Sequence, residues 1–110
     1  MTMQHGTIQH GQLDITTSFN PLQFILAAVT PTIEIDGQPQ KRPWGRHVID
    51  LWPGQHHLRV WFDYHGRSGV AEVPFGIWAG HATMVRYASP FFVTSRGELQ
   101  MLGSRPMQTW

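Results

Sequence analysis

Leu51-Trp-Pro-Gly-Gln-His-His-Leu-Arg-Val-Trp-Phe-Asp-Tyr64 holds the longest alternating apolar segment of the chain. Pro53-Gly54 opens it and fits the two central positions of a type II turn: proline presets φ, and glycine tolerates positive φ. Past the turn, His56, Leu58, Val60, Phe62 and Tyr64 share one face, while His57, Arg59, Trp61 and Asp63 share the other. Strand side chains alternate with a period of two, so a slip of one residue would bury Arg59 and Asp63. The register of this strand is therefore strongly specified, and the remaining short strands are laid out around it.

Upstream, Met1 to Gly11 is polar and carries Gln-His-Gly twice, at 4–6 and 9–11; it reads as a flexible or edge-pairing N-terminus. Gln12 to Phe19 places Leu13, Ile15, Thr17 and Phe19 on one face of a first strand. Phe19 to Val29 is the one helical candidate, with Leu22, Ile25, Leu26 and Val29 at helical spacing, and an apolar strand over Gln23 to Ala28 is the competing reading. Asn20 is suited to the N-cap, Pro21 to the first helical position, and Gln23 to the third, as in a capping box. Phe19 and Phe24 occupy the two places of a hydrophobic staple, and Pro31 limits extension. A short helical segment near 20–28 is expected to pack as a lid on the core. Left protruding, it would instead present an apolar patch to a partner.

Thr32 to Asp36 reads as a strand with Ile33 and Ile35 inward, closed by an Asp36-Gly37 turn. Gln38 to Pro43 reads as a polar loop, and Arg46 to Leu51 as a strand with His47, Ile49 and Leu51 on one face. Downstream, Val70 to Phe75 and His81 to Ala88 are strands, with Ala71, Val73 and Phe75 and then Thr83, Val85 and Tyr87 inward. Pro74 marks an end or an edge. Phe91 to Val93 and Glu98 to Leu102 are expected to form a last hairpin around Arg96-Gly97, followed by a loose tail over 103–110. About seven strands at intervals of roughly ten residues indicate an all-β class, a single small antiparallel β-sandwich occupying 12–102.

Composition agrees with that class. A chain of 110 residues, 41% hydrophobic and 14% charged, is one domain able to bury a core. Without cysteine it has neither disulfides nor thiolate metal sites. A formal charge of +1 gives no electrostatic case for nucleic acid. The longest apolar run, Phe24 to Val29, is far short of the roughly 20 residues of a membrane-spanning helix. With no basic and apolar leader at the N-terminus, a soluble cytoplasmic protein is the expectation.

Ile33-Glu34-Ile35-Asp36-Gly37, Trp44-Gly45 and Pro53-Gly54-Gln55-His56-His57-Leu58-Arg59-Val60 together resemble the PEGA-type module. Trp44-Gly45 and the Tyr87 to Pro90 segment also resemble small uncharacterised actinobacterial proteins. The likeness covers about Thr32 to Pro90. It implies a fold related to carboxypeptidase regulatory-like and transthyretin-like sandwiches, with immunoglobulin-like the neighbouring alternative, and a non-catalytic accessory role.

The residues themselves offer little chemistry. Zinc or copper needs three or four convergent ligands, and adjacent His56 and His57 point to opposite faces of a strand. His47, His56 and His81 are the weak metal candidates, and no cofactor is expected. None of Ser18, Ser68, Ser89, Ser95 or Ser104 sits in a Gly-x-Ser-x-Gly elbow, and no glycine-rich phosphate loop is present. The expectation is a non-enzymatic interaction module with a protein partner or a second copy as its target. It would act through an edge strand or through Phe19, Leu22, Phe24 and Ile25, with Arg59, Trp61 and Trp78 as further contact candidates. The alternative is a carbohydrate or other small ligand bound on exposed aromatics, Trp61, Trp78 and Tyr64.

Overall fold

The computed structural model describes residues 9–92 and 95–107. Among the described residues, eight strands form two sheets, each of four strands. In chain order they are β1 (Gly11–Ser18), β2 (Thr32–Ile35), β3 (Gln38–Lys41), β4 (Gly45–Leu51), β5 (Gly54–Asp63), β6 (Arg67–Ile77), β7 (His81–Ala88) and β8 (Glu98–Pro106). One sheet is ordered β4-β1-β7-β8 and the other β3-β2-β5-β6. All pairings are antiparallel except β1 with β7. A β-sandwich with one short helical segment is present as expected, but it departs from about seven antiparallel strands in having eight among the described residues and a parallel β1–β7 pair.

The core is built from the inner rows of both sheets, as period-two alternation requires. Leu13 and Ile15 of β1, with Val85 and Tyr87 of β7, face Ile33, Ile35, Leu58, Val60, Phe75 and Ile77 of the opposite sheet. In β5 the inward row is the expected one, with Leu58, Val60 and Phe62 all fully buried. The β5–β6 ladder is irregular between Val60 and Phe62. Tyr87 is a cross-sheet anchor, since its hydroxyl donates to Gly69 O at 2.6 Å. Burial pushes that hydroxyl's pKa upward, so it stays a donor. The chain passes Tyr87 closely: a Cβ on Gly97 would lie 2.3 Å from Gly69 O and 2.5 Å from Tyr87 Cε1.

Three expectations need correction. Gln38 to Lys41 is a strand and not a loop. Asp36 and Gly37 both take positive φ (51° and 81°), the pattern of a two-residue type I′ hairpin, which requires a strand directly after it. The last hairpin does not form as expected either. Phe91 and Phe92 lie in a bend, and β8 pairs instead with β7 from His81↔Pro106 to Ala88↔Glu98. β8 also runs on to Pro106, past the expected last sandwich residue at Leu102. Val93 and the first Gln-His-Gly, at 4–6, lie outside the described residues.

Candidate functional site

The connection between β1 and β2 is a 3-10 helix, Pro21–Ala28, with non-helical angles at Gln23. Its start follows the expected cap: Asn20 Oδ1 accepts from Leu22 N at 2.9 Å, and Pro21 supplies the fixed φ. The capping box is absent. The Gln23 side-chain amide donates to Phe91 O, its oxygen accepts from Ser89 Oγ, and Asn20 N donates to Ser89 Oγ. The connection after β7 thus takes the place of the box. The staple is absent too, because Phe19 packs edge-on against Trp44 (5.1 Å between ring centroids) while Phe24 is 79% exposed.

Trp44 holds the segment down. Its indole Nε1 donates to Leu26 O (3.0 Å) and Val29 O (2.8 Å), and its ring lies 5.9 Å from Phe62 and 6.4 Å from Tyr87. Leu26 alone of the helix is buried. The lid expectation therefore holds for Leu26 and fails for its neighbours: Leu22, Phe24 and Ile25 point to solvent. Short i→i+3 turns place residues three apart on one side. One apolar side chain reaches the core, and the others stand clear of it.

Phe91 and Phe92, exposed by 63% and 65%, stand beside this helix through the Gln23 bridge. Leu22, Phe24, Ile25, Phe91 and Phe92 are thus exposed apolar side chains on two bridged segments at one end of the sandwich. Neither Phe19–Ile33 nor Tyr87–Ser95 contains a charged residue or a histidine. Monomers seldom expose apolar side chains in such a cluster without a use for them. The helix half of this surface was legible in the sequence. The phenylalanines carry no such signal, because Phe91-Phe92-Val93 has the composition of a strand and Phe91 and Phe92 instead lie in a bend.

The other candidates lie elsewhere. Arg59 is committed to a cross-strand row on the outer face of the β3-β2-β5-β6 sheet, 2.8 Å from Glu72 Oε2 and 3.4 Å from Glu34 Oε1. The Glu72 bond holds the guanidinium's pKa above its usual value, and Arg59 in turn lowers that of Glu72. Trp61, beside Arg59, is only 5% exposed, and the Arg67 guanidinium sits 4.0 Å above its ring. Trp61 is therefore no open platform. Trp78, 57% exposed, follows β6 at the opposite end of the sandwich from Tyr64, which follows β5, so the three expected aromatics do not form one site.

The histidines are also dispersed. His47 Nε2 lies 2.6 Å from Pro43 O, and His81 Nδ1 lies 3.1 Å from Ala79 O. His56 is engaged at both ring nitrogens, by Asp36 and by Trp52 O. Among the described residues no three His, Cys, Asp or Glu side chains converge as a metal site would require. No described helix is long and apolar enough to cross a membrane.

One charged cluster carried no sequence signal. Asp14, on the outer face of β1, has a side chain only 8% exposed. Arg46 of β4 grips it with two bonds (2.9 and 2.8 Å), and Arg105 of β8 adds a third (2.9 Å). The Arg46 bond dominates over the opposing cost of burial, and with Arg105 it holds the carboxyl below the usual range. The cluster ties both edge strands to the centre of their sheet.

No protein-family model matches the chain, and neither a characterised protein nor a solved structure matches it.

Proposed function

We propose that the protein is a non-catalytic β-sandwich module that works by protein contact, and that its contact surface is the apolar end built from Leu22, Phe24, Ile25, Phe91 and Phe92. The observation that carries this reading is the exposure of those side chains on two bridged segments. The partner we favour is a second copy of the chain. The apolar side chains at its centre can meet their own image without repulsion or unpaired ions, which suits an isologous twofold contact. A helix lying on a membrane surface would carry Lys or Arg on its polar side, and Pro21–Ala28 carries none.

The area is consistent with a modest interface. Three phenylalanines of roughly 200 Å² each, exposed by 79%, 63% and 65%, offer roughly 400 Å² per copy. Leu22 and Ile25 bring this toward the roughly 800 Å² per partner of a standard interface. Sedimentation equilibrium tests the proposal: the wild type should dimerise reversibly at micromolar concentration, and a Phe24→Asp/Phe91→Asp pair should be monomeric while equally folded. A wild type that is monomeric throughout, or a dimer indifferent to both substitutions, overturns it.

Within the sandwich class, the strand order supports the transthyretin-like expectation over the immunoglobulin-like one. The latter would place strands A, B, E and D opposite C, F and G, whereas here the first strand lies between the fourth and the seventh. The PEGA-type resemblance gains support from contact between its motifs, because His56 of Pro-Gly-x-His bonds Asp36 of Asp-Gly.

A second reading has its own observation. Trp52 is 71% exposed beside a cleft of about 260 Å³ that it lines with His10, Asp50 and Leu51. A pyranose would stack on the indole and bond the carboxylate. Tryptophan fluorescence titrated with a glycan panel tests this, and a signal unchanged by every sugar removes it.

A further inference from the structure

His56 is clamped between two acceptors. Its Nδ1 lies 2.5 Å from Asp36 Oδ2, and its Nε2 lies 2.7 Å from Trp52 O. An ionised carboxylate and a backbone carbonyl accept and do not donate, and a neutral imidazole carries one N–H. Both contacts are hydrogen bonds only if the ring is an imidazolium. The ring has little freedom to turn away, being 12% exposed and stacked on Phe75 with 5.5 Å between centroids.

The clamp joins separate parts of the fold. Trp52 O belongs to the Leu51–Gly54 crossing from one sheet to the other, and Asp36 to the β2–β3 hairpin turn. Asp36 Oδ1 also accepts from His57 N at 2.8 Å, which fixes the carboxylate. The groups around the ring are few. The β2–β3 turn contributes Asp36, β5 contributes His57, β6 contributes Phe75, and the crossing contributes only the Trp52 carbonyl. His57 is turned toward Glu72 of β6 (3.9 Å), and Asp50 of β4 toward His10 (3.4 Å).

We propose that His56 is a proton-dependent latch: charged, it pins the Leu51–Gly54 crossing and the exposed Trp52 to the Asp36 turn, and neutral, it lets the crossing go. On deprotonation the remaining N–H stays with the Asp36 carboxylate, the stronger acceptor. The Nε2 lone pair then faces the Trp52 carbonyl oxygen, and that contact turns repulsive. Burial of the ring opposes its charge. The Asp36 bond, the Trp52 carbonyl and the Asp36 charge outweigh it and hold the pKa above the ordinary 6.5. A pKa raised by folding means that the latch stabilises fully below the unfolded value and is lost as pH rises through the folded one.

Long-range ¹H–¹⁵N spectra of the intact protein through a pH titration test the latch. His56 should show two protonated ring nitrogens at mildly acidic pH and a midpoint above 6.5. Amides of Gly54 and Gln55 should shift with that same midpoint. Their hydrogen exchange, corrected for intrinsic base catalysis, should rise about tenfold above it, the loss of about one hydrogen bond. Asp36→Asn should lower the midpoint. A neutral His56 at pH 6, or a His56 transition that Gly54 and Gln55 do not follow, overturns the proposal. The wild-type titration decides between these outcomes even where the variant does not fold.

Discussion

Replacing Trp44 with 3-benzothienylalanine, which keeps the bicyclic ring and removes the N–H, probes what holds the 3-10 helix to the sandwich. Leu26 O keeps a partner after the change, because Val29 N also donates to it at 3.0 Å. Val29 O, which the indole reaches at 2.8 Å, loses the only donor assigned to it among the described residues. An unpaired carbonyl costs about 1–3 kcal/mol, and the half-buried position of Val29 places the loss near 1–1.5 kcal/mol. Trp44→Phe adds lost packing against Phe19, Phe62 and Tyr87, for a total of about 2–3 kcal/mol. At about 4–8 °C per kcal/mol, the isostere should lower Tm by about 5–10 °C and Trp44→Phe by more. Urea unfolding followed by far-UV circular dichroism checks both, with the m-value unchanged. Exchange of the Gln23 and Val29 amides should accelerate beyond the global change. A loss under about 0.5 kcal/mol for the isostere, or faster exchange spread evenly over the chain, would refute the assignment of Trp44 as the tether.

Asp14→Asn should destabilise the fold at neutral pH by about 1–2 kcal/mol, a figure held down by water around the exposed Arg46. The Asp14 pKa is lowered by folding, so its contribution is present above the unfolded value and vanishes as pH falls through the folded one; acid denaturation curves of wild type and variant should converge. Gly97→Ala forces a methyl into Gly69 O and the Tyr87 ring and should cost more than about 2 kcal/mol in urea, whereas Gly80→Ala, with open space around it but φ at +76°, should cost about 1 kcal/mol. Phe24→Asp alone should leave Tm nearly unchanged and weaken self-association by about 2 kcal/mol or more, roughly thirtyfold, read by sedimentation.

Much of the architecture is legible in the sequence, because alternation in β1, β2, β5 and β7 points one way and nothing competes with it. Leu13, Ile15, Ile33, Ile35, Leu58, Val60, Val85 and Tyr87 are buried where period-two reading puts them. β3 escaped that reading because Gln38-Pro-Gln-Lys41 is an exposed edge with no apolar face, although Asp36-Gly37 is itself a two-residue hairpin signal. For β8 the first half, Glu98 to Leu102, is legible and the extension to Pro106 is not: the ladder with β7 is irregular at Met84/Val85, opposite Met101–Gly103, and breaks the alternation there. For the candidate site, the helical segment supplies Leu22, Phe24 and Ile25 as candidates but leaves open which of them face the core. Trp44, fifteen residues beyond Val29, settles that, and contacts at such a separation leave no local pattern. Trp61 shows the same limit, since its cover is Arg67 reaching across from the neighbouring strand.

The central claim is that the apolar end joins two copies of this chain, and amide chemical shifts followed across protein concentration test it most directly. Dimerisation through this end predicts concentration-dependent shifts confined to residues 19–29 and 88–92, abolished by Phe24→Asp. Shifts that gather instead along the β6 and β8 edges, or an absence of concentration dependence up to millimolar protein, would contradict it.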